Sequence, residues 1–342
     1  MPDGAHRYEQ LSPKAYEHPA DRAATSALRA IPLMDKVLKR LTDVAHERRL
    51  RQILVGNAVR IGEAQVPELW TSFERAGWSL DLEPLPPLYA TQTPLASAIT
   101  IGAHRPTVIV FSGLVSSFDD DEVESVLAHE LGHALSEHNY YTTALVLLAQ
   151  FLRTSVPGTL AGLPIRALYL VLLEWSRAAE LSSDRASALV MGDPLITCRT
   201  LMRMAGGAID GMSLDAFIVQ ATEYEEEEDL FARWSRAWVE IALTHPFAVR
   251  RVRELIRWVE TGEFDRIRGG SYVRRGSEPP PSKEFQAAVA HYRERFGAML
   301  ERTSGGVQRL VRQLEEWLRG AGRAQDDADG SDAEGPDADE PE

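Results

Sequence analysis

Apolar residues recur at helical spacing along most of the chain. Leu28, Ile31, Met34, Val37, Leu38 and Leu41 mark one face of a helical region over 21–55. "NAVRIG" predicts a short strand, and a helix follows around Pro67–Ala76. After the Pro-rich "EPLPPLYATQTP" come two strand candidates, "SAITIGA" (97–103) and "PTVIVFSG" (106–113), separated by a turn at His104-Arg105. "SSFDDDEVESVLAHELGHALSEH" then predicts a strong helix capped by Ser116, Ser117 or Asp119. Acids fill its first turn, where the helix dipole favours them. A second long helix carries "LYLVLLEWSRAAELSSDRASALVMG" and ends near Gly192-Asp193-Pro194, and another follows "THP" at 244–246. The pattern implies a mainly α fold with a small β-sheet, an α+β class.

Two runs are apolar enough to raise the question of a membrane. "TTALVLLAQFL" (142–152) is too short to span a bilayer and ends at Arg153, while "GTLAGLPIRALYLVLLEW" (158–175) contains Pro164 and Arg166. They predict a buried helical hairpin broken at "SVPG". Peripheral membrane contact through 142–173 is the alternative. Beyond "RGGSYVRRGSEPPPS" (268–282), a linker by composition, Phe285, Val289, Tyr292, Phe296 and Leu300 form one apolar stripe. Val307, Leu310, Val311, Leu314, Trp317 and Leu318 form a second. Together they predict a C-terminal helical hairpin that docks on the body or on a partner through 283–318. The expected divisions are an N-terminal helical region at 1–83, a core at 84–265, a linker at 266–282, the hairpin at 283–322 and a disordered acidic tail at 323–342.

The tail changes how the charge is read. The formal charge of −14 includes nine acids at or beyond Asp326, and without them it is −5. Such a surface offers nucleic acid no general attraction. A hydrophobic content of 44% over 342 residues marks a globular chain. The single Cys198 allows no internal disulfide, and its setting in "PLITCRTLMRM" suits a buried small residue better than a nucleophile. The first 23 residues lack the apolar core of a secretory signal, so a cytoplasmic location is expected, with membrane association as the variant. "EYEEEED" (223–229) reads as a solvated face.

The chemistry concentrates in "VLAHELGHALSEH". Four positions apart on a helix, His129 and His133 can aim imidazole nitrogens at one point, and Glu130 lies about 100° further round. That spacing suits two ligands of a catalytic zinc and a general base that takes a proton from water and passes it to the leaving amine. A third ligand is then required. The metzincin pattern fails, since Ser136 and Asn139 stand where it needs glycine and a third histidine. His138 would lie about 140° from His133 on an uninterrupted helix and so face elsewhere. "EWSRAAELSSDRAS" offers Glu180 and Asp184, four apart on one face, with Glu174 ranked behind. Glu180 can complete a two-histidine, one-glutamate site, and Asp184 can accept the N–H of a ligand imidazole, His129 being the candidate. The competing account has Glu180 and Asp184 facing solvent beside Arg177 and Arg185.

At this point the chain resembles the HtpX-type and CaaX-prenyl-protease family of zinc metallopeptidases, a gluzincin group. The resemblance spans about 84–258 and rests on "ASAITIGAHRPTVIVFSGLV", "ESVLAHELGHALSEH", "SRAAELSSD", "MGDP" and "THPFAVRRVREL" in that order. It implies a zincin-like fold, an active-site helix beside a short mixed sheet, and one Zn²⁺ per chain. His129, His133 and Glu180 would be its ligands, Glu130 the base and Asp184 the support behind them. Ser97, Ala98, Ile99 and Thr100 would form the edge strand that pairs with an extended polypeptide substrate. The family usually has asparagine, alanine and an aromatic there, so this chain departs in its side chains. His245 matches a family histidine near the metal and would steady the oxyanion or plug the open metal position; a helix-capping role before Pro246 is the alternative. Arg251 matches the family's arginine and would brace that segment. The implied activity is a zinc metalloendopeptidase acting on extended or misfolded polypeptide. A non-proteolytic peptide-binding scaffold and a membrane-associated quality-control protease are the rivals.

Overall fold

The computed structural model describes residues 6–31, 56–154, 163–207, 209–226, 247–280 and 282–304, with isolated positions at 38, 39, 42 and 52. The fold is mainly α with a four-stranded mixed sheet, as the pattern implies. After a 3-10 turn at Pro13–Ala15, helix α1 runs Pro19–Ala30, β1 Ala58–Arg60, α2 Pro67–Ser79, β2 Leu88–Thr91, β3 Ala98–Ile101 and β4 Thr107–Phe111. Then come α3 at Ser112–Ser117, α4 at Asp120–Leu135, α5 at His138–Thr154, α6 at Leu163–Met191, α7 at Pro194–Gly206 and α8 at Leu214–Glu226. The described chain closes with α9 at Ala248–Glu260, α10 at Glu263–Arg268 and α11 at Lys283–Ser304.

The strand order is β1-β2-β4-β3, which leaves β3 on an edge. β3 and β4 pair antiparallel, with Ala98 opposite Val110 and Thr100 opposite Val108. β2 joins β4 in parallel. Its four residues sit in the proline-rich stretch, where alternation is too short to register as a strand. α4 begins with a reciprocal cap: Asp119 Oδ1 accepts from Glu122 N at 2.9 Å, and Asp119 N donates to Glu122 Oε2 at 3.1 Å. Ser116 and Ser117 belong to the separate α3. The fully buried Glu122 is balanced by Arg199 at 3.2 Å and Arg203 at 2.9 Å, both from α7.

Two apolar cores meet at α6, whose 29 residues span about 43 Å. Its first half, with Leu168, Val171, Leu172 and Trp175, packs with α1, α5 and Phe296 of α11. Its second half, with Ala186, Ala188 and Leu189, packs with the sheet, α2, α4, α7 and α9. The hydrophobic stretches of 142–152 and 163–175 therefore supply a protein core, and no helix among the described residues is long and apolar enough to cross a membrane. Tyr8, Leu11 and Tyr16 share a core with α2 and α4, so packing is continuous across 83/84. The segment read as a linker runs beside the N-terminus: Ser12 N donates to Val273 O at 3.1 Å and Arg275 N to Gln10 O at 2.7 Å. The second arm of the expected C-terminal hairpin and the acidic tail lie outside the described residues, as does most of 31–55.

Candidate active site

His129, Glu130 and His133 ride on α4, and Glu180 and Asp184 on the crossing part of α6, at the junction of the two cores. His129 Nε2 and His133 Nε2 stand 3.1 Å apart. Glu180 Oε2 is 3.4 Å from His129 Nε2, and Glu180 Oε1 is 3.3 Å from His133 Nε2. Two imidazole nitrogens and one carboxylate thus converge from two helices, each imidazole facing a different carboxylate oxygen. A tetrahedral zinc with ligands at about 2.0–2.1 Å has edges of about 3.3–3.4 Å, and the closest approaches among these three residues are of that size. The charge balance agrees. Glu130, Glu180 and Asp184 are buried carboxylates gathered around buried Arg251, and a divalent cation would offset the excess negative charge. Glu174 pairs instead with Arg177, three residues on along α6.

Asp184 accepts from His129 Nδ1 at 3.1 Å, the relationship expected from the spacing. It is itself gripped by Arg251, whose Nε reaches Oδ2 at 2.8 Å and Nη2 reaches Oδ1 at 2.6 Å. Arg251 Nη1 lies 3.2 Å from Glu180 Oε2, so one guanidinium from α9 aligns both carboxylates of α6. Burial alone would push Asp184 up, but Arg251 and His129 outweigh it and hold the carboxyl below its ordinary value. Burial likewise opposes charge on His129, yet Asp184 and Glu180 raise that imidazole to about 9. Arg185 leaves the site altogether, donating to Tyr16 O at 3.3 Å and lying over the Trp258 ring.

His138 overturns its sequence-based placement. An uninterrupted helix would turn it away, but α4 stops at Leu135 and Glu137 adopts a left-handed φ of 57°. The chain reverses, α5 starts at His138, and His138 Nδ1 comes to 3.0 Å from His133 Nδ1. His138 Nε2 in turn meets Asp21 Oδ2 of α1 at 2.9 Å. Neither contact has a local signal: no glycine or proline marks the break, and Asp21 is 117 residues from His138.

The four residues expected to form the substrate strand divide. Phe111 N donates to Ser97 O at 3.1 Å, so residues 97, 99 and 101 turn their backbone groups toward β4. Those of Ala98 and Thr100 face off the edge. At Gly102 the edge closes, its N–H donating to Thr143 Oγ1 at 2.8 Å and its carbonyl accepting from Asn139 Nδ2 at 2.7 Å. The Thr100 side chain points inward, its hydroxyl 2.7 Å from Glu130 Oε2. A cavity of about 430 Å³ opens on Glu130, His133 and Glu180 beside this strand. Its walls include Leu145, Val146, Ala149, Tyr169 and Trp175. His245 lies outside the described residues.

The model of "Peptidase family M48" matches residues 67–259. "Plastoglobule-localized metallopeptidase 48, chloroplastic" of Arabidopsis thaliana is 32% identical over 263 residues, covering 75% of this chain and 76% of that protein. A "Protease HtpX homolog" of Nostoc sp. is 26% identical over 183 residues, 46% of this chain and 63% of that protein. "Protease HtpX homolog 2" of Methanosarcina mazei is 25% identical over 233 residues, 57% and 74% of the two chains. No solved structure matches.

Proposed function

The chain belongs to peptidase family M48, and from that premise we propose a zinc endopeptidase whose single ion is held by His129, His133 and Glu180. The chain is an HtpX-type metallopeptidase and acts on polypeptide. The identity of the metal and the assignment of its ligands are the proposal. The observation that carries it is the triangle of Nε2, Nε2 and carboxylate oxygens at 3.1–3.4 Å beside buried Glu130. Zinc, when bound, supplies the Lewis acidity that brings a water's pKa toward neutrality and polarises the scissile carbonyl. Glu130 would accept a proton from the attacking water and pass it to the departing amine. Asp184 holds His129 by its Nδ1–H, and Arg251 holds Asp184.

Extended polypeptide is the substrate class that suits the edge strand. Its backbone would pair with the outward-facing N–H and C=O groups of Ala98 and Thr100, displacing the Ser97 hydroxyl that now donates to Ala98 O at 3.2 Å, and the Gly102 closure sets where pairing ends. Ser97 and Ile99 hold the register against β4 and also line the cavity beside the strand. One side chain of a strand-paired peptide would drop into the apolar cavity between α5 and α6. His245 is assigned to steadying the oxyanion, on its sequence match alone.

The test is metal content per chain together with casein cleavage. Wild type should carry one zinc and lose cleavage to a chelator, with zinc restoring it. Glu180→Ala should lose the metal. Glu130→Gln should keep zinc while hydrolysis falls by roughly 10²–10⁴-fold. Full zinc retention by Glu180→Ala would remove the third ligand, and undiminished hydrolysis by Glu130→Gln would remove the base.

A further inference from the structure

We propose that helix α1, which precedes the family-matched residues 67–259, is part of the metal centre, with Asp21 fixing His138 and His138 fixing His133. The inference rests on His133 being a metal ligand. An imidazole that offers Nε2 to a metal carries its proton on Nδ1, and that proton needs an acceptor. For His129 the acceptor is the carboxylate of Asp184. For His133 the group at 3.0 Å is another imidazole nitrogen, Nδ1 of His138. An imidazole nitrogen accepts only if the ring's proton sits on its other nitrogen.

Asp21 imposes that choice. Its Oδ2 stands 2.9 Å from His138 Nε2 and can only accept there. The aspartate is kept in place by donors of its own, Ser182 Oγ at 2.6 Å and Thr25 Oγ1 at 3.1 Å. The result is one consistent direction: His133 Nδ1–H to His138 Nδ1, then His138 Nε2–H to Asp21. The edge of the Trp175 pair, with centroids 5.5 Å apart and planes at 82°, keeps the His138 ring from turning. His133, His138, Asp21 and Ser182 are all buried, so water does not compete for these positions. His138 and Asp21 are positioning residues. They stand behind His133, and act by presenting one of its nitrogens.

The experiment measures zinc affinity by chelator competition on the full chain, with the visible spectrum of the Co²⁺-loaded protein as a second readout. His138→Leu should lose roughly 10–100-fold in affinity, the range for removing a ligand's hydrogen-bond partner, and should alter the Co²⁺ spectrum. His138→Asn, whose amide oxygen can accept where Nδ1 did, should recover most of that loss. A general packing defect would not be repaired this way. His138→Leu within twofold of wild type would overturn the proposal. Should that variant fail to fold, ¹⁵N NMR of the zinc-loaded wild type decides: a proton on His138 Nε2 supports the relay, and one on Nδ1 overturns it. Wild type that binds no zinc would overturn the site assignment beneath it. Tight wild-type binding with an indifferent His138→Leu would overturn the relay alone.

Discussion

Gly132 of α4 lies so close to Ala186 of α6 that a Cβ at 132 would stand 2.7 Å from the Ala186 Cβ. The next nearest atoms, Ser183 Cα and O, are at 3.4 and 3.6 Å, so the conflict is with one methyl group. This close approach is what lets Glu180 reach the two histidines from the neighbouring helix. Gly132→Ala must push the helices apart, at a cost of about 1–3 kcal/mol, and zinc affinity should fall with it. Ala186→Gly in the same chain removes the opposing methyl. Zinc titration should then show recovery of affinity, even though a mid-helix glycine lowers stability by about 1 kcal/mol. No recovery in the double variant would mean that the spacing does not set the site.

Thr100 lies on the strand expected to pair with substrate, and its hydroxyl donates to the Glu130 carboxylate. Thr100→Val keeps the shape of β3 and its outward-facing backbone groups but removes that donor. The turnover number should drop by roughly tenfold, the size of one lost hydrogen bond to a charged group at about 1.5 kcal/mol. KM and zinc content should hold, and Thr100→Ser should restore the rate. Steady-state kinetics on a fluorogenic peptide, with metal analysis, separates these outcomes. A raised KM at constant turnover would mean that the hydroxyl serves substrate binding and not Glu130.

These two residues also mark how far the chain could be read from sequence. His129 and His133, and Glu180 and Asp184, are each four apart, and helical periodicity alone puts each pair on one face. Pairing the two helices followed from metal chemistry, which demands a third corner. β3 and β4 were legible as flanks of a short turn. What escaped was set by tertiary packing. Glu137 takes a left-handed conformation usually left to glycine, and this single torsion returns His138 to the cluster. Asp21 enters through the docking of α1 on α6, where His18 N donates to Ser182 Oγ at 2.9 Å. The inward turn of Thr100 depends on which face of β3 meets α4, a choice that alternation cannot make when both faces are largely covered.

The cavity beside the site makes a prediction about cleavage preference. Its walls run about 10 Å along α5, from Thr142 to Ala149, and are mostly apolar, so a large apolar side chain next to the scissile bond should be favoured. Ala149→Phe fills part of that space. Mass spectrometry of a digested peptide library should show cleavage beside Phe, Leu and Met falling at least about tenfold, while cleavage beside Ala and Ser persists. Equal loss across all side chains would mean that the cavity does not select the substrate.

Glu17, beside Ser136 at the C-terminal end of α4, predicts a pH effect on stability. Burial, and then the neighbouring Asp21, push its carboxyl from an ordinary 4.5 up to about 7, while Ser136 and Arg22 pull the other way. A carboxyl whose folded pKa is raised favours the fold when protonated. That contribution is complete below about pH 4.5 and is lost as pH rises through 7. At pH 8.5 the ionised group should therefore cost on the order of 1–3 kcal/mol. Glu17→Gln removes the charge at every pH. Urea unfolding should find the variant more stable than wild type at pH 8.5 and the two nearly equal at pH 4.5. A gap of the same size at both values would show that Glu17 is not the titrating group, because only ionisation makes the difference depend on pH.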